Sequence, residues 1–96
     1  MILGDEARRG EEAKQVLSAQ VYKDAWASYE AILLGLLANA DTTKERAEEV
    51  RGWLIAARKA RGHLERIVKE GALAAEQIRQ EETRKKNLAA RLFRAA

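Results

Sequence analysis

The sequence predicts an all-α fold: an antiparallel two-helix hairpin with a long second helix and a basic C-terminal helical extension, oligomerising into a bundle or ring. Three observations predict it. Between Thr42 and Ile78, apolar or small residues recur in sevens: Val50, Ala57, Leu64, Gly71 and Ile78. Trp53, Ala60, Ile67 and Ala74 follow the first four by three, and Leu54, Val68 and Ala75 thicken the stripe. That is a heptad seam, made by a long helix lying on another helix. Second, the 96 residues contain no proline, and alanine, leucine, glutamate, lysine and arginine dominate. No β-branched run alternates with period two, so no strand is expected. Third, the apolar face before the seam is too wide for one partner helix to cover.

Taken in order, Met1 to Gly4 reads as a frayed end. Asp5 suits a helix cap and Glu6 the first turn, where the dipole favours acids. A helical pattern then runs to about Ala38, weakened at Gly10 by about 1 kcal/mol relative to alanine. Val21, Tyr22, Ala25, Trp26, Tyr29, Ile32, Leu33, Leu36 and Leu37 share one face, spanning roughly 160° of arc. Val16, Ala27, Leu34 and Ala38 form a thinner line beside it.

Asn39 and Ala40 close this helix, with Asn39 suited to a left-handed cap. Thr42-Thr43-Lys44-Glu45 reads as a capping box with Thr42 as the cap. The connection is therefore short, which makes the two helices antiparallel neighbours. The second helix is expected to continue through Gly71, because the register survives there and no loop residues follow. From 43 to 92 it would measure about 75 Å and overhang the first helix, nearer 45–50 Å.

Folding the chain about residue 41 brings Trp53 near Tyr29, Trp26 near Ala56 and Ala57, and Tyr22 near Ala60. Tyr22, Trp26, Tyr29, Trp53, Ala57 and Leu64 are thus the expected hairpin core, large residues meeting small ones. The aromatic group also fits a nucleobase platform, although aromatics at helical spacing on an apolar face are usually core. The uncovered flank, with Leu33, Leu34 and Leu37, is the expected oligomer interface. A chain this short makes one small domain with a modest core, which a second subunit would reinforce.

The residues argue against catalysis. There is no cysteine, so disulfides and thiolate metal sites are excluded. The one histidine, His63, has no converging carboxylates and reads as a surface or seam-edge residue. Glu11-Glu12, Glu48-Glu49 and Glu81-Glu82 are adjacent pairs, which diverge on a helix. No phosphate-cradling glycine loop is present, and Ser18 and Ser28 lack a base at helical spacing. No enzyme, cofactor or metal is expected. The longest mainly apolar run, Ala31 to Ala38, is too short to span a bilayer. No secretory peptide is read at the N-terminus. A cytoplasmic protein without a membrane partner is expected.

The net charge of +3 is uneven. Residues 83–96 carry Arg84, Lys85, Lys86, Arg91 and Arg94 and no acid, leaving −2 for the rest. The chain therefore divides into a helical hairpin oligomerisation domain, 1–82, and a basic amphipathic tail, 83–96. On a helix, Leu88, Leu92 and Ala89 form one side with Phe93 at its edge, and Arg84, Arg91 and Arg94 fall on the other. Three readings fit the tail. Leu88, Leu92 and Phe93 dock into a partner groove; the five bases grip nucleic-acid phosphate; or the tail is a solvated helix end whose bases suit the dipole.

The stretch from Asp5 to Gly71 resembles short, mostly uncharacterised helical proteins of tailed bacteriophages. The matching pieces are Asp5-Glu6-Ala7-Arg8-Arg9-Gly10 with Ala13, then Ala25, Glu30, Trp53 and Val68, and Arg61-Gly62-His63-Leu64-Glu65 with Glu70-Gly71. This covers about two thirds of the chain and implies a phage or prophage origin, hence the host cytoplasm. The architecture is similar to the oligomerisation core of phage small terminase subunits. That likeness implies a homo-oligomer that contacts packaging-site DNA and recruits the large terminase. The N-terminus departs from many of them in having no convincing helix-turn-helix, which puts sequence-specific DNA reading in doubt. A small phage protein that binds and modulates a host protein is the other reading.

Overall fold

A computed structural model describes residues 2–95. Among these the chain forms three α-helices: α1 (Leu3–Ser18), α2 (Gln20–Ala38) and α3 (Lys44–Ala95). The chain measures 82 × 23 × 17 Å, with a radius of gyration of 22.2 Å. A compact domain of this length would have a radius near 12.5 Å.

α3 is a 52-residue rod that passes through Gly71 and through the 82/83 boundary without a break. No residue there offers a stop: proline is absent, and i,i+3 or i,i+4 ion pairs line its surface. Against it, contacts descend α3 as they climb from α1 to α2 in reverse. Leu3 borders Gln77, Gln80 and Arg84. Gly10 meets Gly71. Trp26 faces Arg61, Glu30 pairs with Arg58, and Leu33 packs on Val50 and Leu54.

The expected single first helix is two helices. At the end of α1 the Ser18 hydroxyl donates back to the Lys14 carbonyl. Ala19 then leaves helical geometry, with φ −64° and ψ 131°, while its N–H bonds the Val16 carbonyl at 3.2 Å. α2 restarts at once, Lys23 N–H donating to the Ala19 carbonyl at 3.0 Å. The break has a packing reason. Glycine and alanine draw α1 close to α3, whereas α2's tryptophan and leucines hold α3 away, and one straight helix cannot do both.

The ends also differ from expectation. α1 already includes Leu3 and Gly4, so Asp5 lies inside the first turn and does not cap; Met1 lies outside the described residues. Asn39 is extended, φ −77° and ψ 122°, not left-handed. Its side-chain oxygen instead accepts the Asp41 N–H at 2.9 Å, a side-chain turn that reverses the chain. The cap of α3 is Thr43 rather than Thr42: Thr43 Oγ1 accepts the Arg46 N–H at 3.1 Å.

The core is thin. Only Ala13, Leu33, Val50, Leu54 and Ala74 are buried hydrophobics among the described residues. Leu33, Val50 and Leu54 form one cluster, with Leu36 and Leu37 against it. At the other end, Gly10 and Gly71 let two backbones touch. A β-carbon added to Gly10 would sit 2.6 Å from Gly71 Cα, and one on Gly71 would sit 2.9 Å from the Glu6 carbonyl oxygen.

Candidate functional site

The surfaces available for function are those the three helices leave uncovered, and α2 leaves an apolar one. Thirteen of its nineteen residues are hydrophobic, yet Leu33 alone is buried. At 100° per residue, Leu33, Trp26, Tyr22 and Leu37 point toward α3 within about 60° of arc. Val21, Ala25, Ser28, Ile32 and Gly35 fall on a flank centred about 120° away. All five are exposed, Val21 at 81% and Ile32 at 62%. Leu34 lies on the opposite flank and is exposed as well.

The predicted core residues are placed unevenly. Tyr22, Trp26, Ala57 and Leu64 are half-buried, while Tyr29 and Trp53 are exposed. Trp53 is not stacked on Tyr29 in a core; the Arg46 guanidinium covers its ring at 4.8 Å. Trp26 is covered by Arg61 at 5.1 Å, one turn beyond the alanines expected there. Both are cation–π contacts, in which the ring face attracts the cation. The aromatics therefore make no continuous stacking platform. Of the expected interface residues, Leu33 is 2% exposed in the chain's own core and is not available to another subunit. Leu37 is half-buried beside it, and only Leu34 is open.

Sequence reasoning overlooked Arg61, which occupies a seam position between Leu54 and Leu64. Its Nε is shielded and has no hydrogen-bond partner, although Glu65 Oε1 lies at ion-pair distance, 3.4 Å. It also treated Gly10 only as a weak point in a helix. The signal was present: Ala7, Gly10 and Ala13 put small residues on one face of α1, opposite Gly71 and Ala74.

The second open surface is the end of α3. Every residue from Glu81 to Arg94 is exposed, with Leu88 at 57%, Leu92 at 65% and Phe93 at 86%. Arg84 pairs with Glu81 at 2.8 Å. Beyond it, Lys85, Lys86, Arg91 and Arg94 project from a helix that carries no acid after Glu82. This stretch is one convex face of one helix, with no opposing wall to enclose a small molecule.

His63 Nδ1 contacts the Arg66 guanidinium, beside Glu6, Arg9 and Glu70. No group of three or more His, Asp or Glu side chains among the described residues could hold a metal ion. No helix among them is long and apolar enough to cross a membrane. The Glu76–Arg79 pair shows shifted titration. The Arg79 guanidinium, bonded to both carboxylate oxygens at 2.6 and 2.8 Å, pulls the Glu76 carboxyl below its ordinary value and raises Arg79 in turn. Both groups face water, so the pair is a local helix brace.

Fold and surfaces together define an elongated all-α protein whose uncovered features are an apolar helix flank and a basic helix end. No family model matches the chain, and no match was found among curated proteins or solved structures.

Proposed function

We propose that the chain is a non-enzymatic, homo-oligomeric phage assembly protein. In this reading it is a small-terminase-like DNA-packaging subunit that recruits a second protein, such as the large terminase, through the end of α3. α1 and α2 form one arm and α3 the other of an antiparallel hairpin, and hairpins associate into a bundle or ring in the host cytoplasm. Leu88, Leu92 and Phe93 dock the partner.

The observation that carries self-association is surface. The chain exposes 7660 Å², whereas a compact monomer of 10.8 kDa would expose about 5,500 Å². The surplus is the size of a permanent interface. The packaging role draws on the resemblance of Asp5–Gly71 to phage proteins. Light scattering at micromolar concentration tests the assembly, with a mass at a multiple of 10.8 kDa expected. A monomer mass throughout would refute it.

A second reading is favoured by the acid-free run of bases after Glu82: the end of α3 binds nucleic acid. Five phosphate contacts give a log–log salt slope of about −4.5. If neutralising Arg84, Lys85 and Lys86 leaves DNA retention and its salt slope unchanged, this reading fails. The same exposed end also suits a host protein as its target; purified large terminase and a tail-deleted variant separate the two partners.

A further inference from the structure

We propose that the Val21–Gly35 flank of α2 is a two-fold interface, on which a second copy of this chain lays its own α2 antiparallel, centred on Ser28. The inference rests on the self-association reading above and specifies its geometry.

Val21, Ala25, Ser28, Ile32 and Gly35 are spaced four, three, four and three residues apart, the spacing of a helix–helix seam. They lie within about 80° of arc. The seam is open along its whole length, and a β-carbon added at Gly35 would meet nothing within 4 Å. It carries no charge. Glu30 is directed to Arg58 across α3, and Asp24 is held by Gln20 at 2.8 Å. A charge-free strip of this kind on a water-facing helix costs solvation unless another surface covers it.

The order of sizes identifies the occupant. An antiparallel copy centred on Ser28 sets Val21 opposite Gly35, Ala25 within one residue (about 1.5 Å) of Ile32, and Ser28 opposite its own equivalent. Each large side chain then meets a small one, and the centre is small on both sides. A two-fold interface requires this self-complementarity, because one surface must serve as both knob and hole. An unrelated partner imposes no such symmetry on the sequence. The area agrees. The chain exposes roughly 2,000 Å² more than a compact monomer of its mass, the order of a permanent homodimer interface. The antiparallel arrangement sends the two basic ends of α3 in opposite directions, so both stay free for other partners.

The absence of cysteine makes the test direct. Single variants Val21→Cys, Ser28→Cys, Ile32→Cys and Leu34→Cys are oxidised mildly in the full chain. Ser28→Cys alone is expected to give a covalent dimer in high yield, since only it faces its own equivalent; Leu34→Cys is the control on the other flank. Independently, Gly35→Leu fills open space in the monomer and improves helix propensity, so folding is retained. It should weaken association about tenfold or more by colliding with Val21 of the other copy. Ile32→Asp should weaken it about a hundredfold or more. Equal cross-linking of every seam variant would mean a parallel pair and overturns the proposal. Undiminished oligomer mass in Gly35→Leu and Ile32→Asp would place the interface elsewhere; that overturns this inference while self-association stands. A wild-type monomer overturns both.

Discussion

Along α1, glycine and alanine let α3 approach until the backbones touch; along α2, tryptophan, tyrosine and leucine hold α3 away. The polarity of the two helices runs the other way. α1 carries seven charged residues in sixteen and still makes the closest packing, around Gly10, Ala13, Gly71 and Ala74. α2 carries three charged residues in nineteen and buries only Leu33. Closeness of approach is therefore set by side-chain size at the contact, not by how greasy the helix is. What α2 does not bury in its own chain stays exposed to water.

The sharpest way to break the contrast is to enlarge the close contact. Gly71→Leu places a side chain where the Gly10 and Glu6 backbones already sit. The gain in helix propensity is about 1 kcal/mol, but the obstacle is backbone and cannot rotate away. Urea unfolding should show a loss of about 3 kcal/mol or more, and amide exchange should show α1 released first. Stability equal to wild type would mean that α1 does not dock at Gly71.

Leu33→Ala removes the one buried side chain of α2. A loss of about 2–3 kcal/mol is expected, with protection falling across 20–38 and surviving across 3–18. Equal loss in both helices would show that they dock as one unit and erase the distinction. Thr43→Ala removes the hydroxyl that accepts the Arg46 N–H and should cost about 1 kcal/mol; Thr42→Ala should cost less, and the reverse order would restore Thr42 as the cap.

The smallest effect is pH dependence at Glu76. Its folded pKa lies below the ordinary 4.5, so the Arg79 brace contributes above that value and is lost as pH falls below it. Carboxyl titration followed by NMR should place Glu76 below its ordinary 4.5, and Arg79→Gln should return it toward that value. Because the pair faces water, the unfolding midpoint at neutral pH should barely move in that variant.

Legibility in the sequence varied with the reach of the interaction. Helix content and the continuity of α3 through Gly71 were readable, because heptad spacing and the absence of proline act over a few residues. So were Val50, Leu54 and Ala74 as members of a stripe. Thr43 was misjudged by one position, as helix ends are set by a single competing hydrogen bond. The break at Ala19 was not legible: Ser18-Ala19-Gln20 contains no helix breaker, and the bend answers to the different spacings α1 and α2 need from α3. Trp53 was assigned to a core because it is large and apolar, yet it is exposed with Arg46 over its ring, whereas Trp26 is half-buried toward α3 with Arg61 on its face. Leu33 was assigned outward, although a rotation of about 100°, the step from Leu33 to Leu34, decides between core and exposed flank.

By itself, the sequence determined that the chain is helical, where its long rod runs, and that its apolar surface is broader than one neighbouring helix can hide; these follow from spacing and composition. The tertiary structure alone decided which helix comes closest, which leucine is buried and which flank of α2 is left in water. Those outcomes depend on the distance between helix axes, and that distance is fixed by pairs such as Gly10 and Gly71 that lie far apart along the chain.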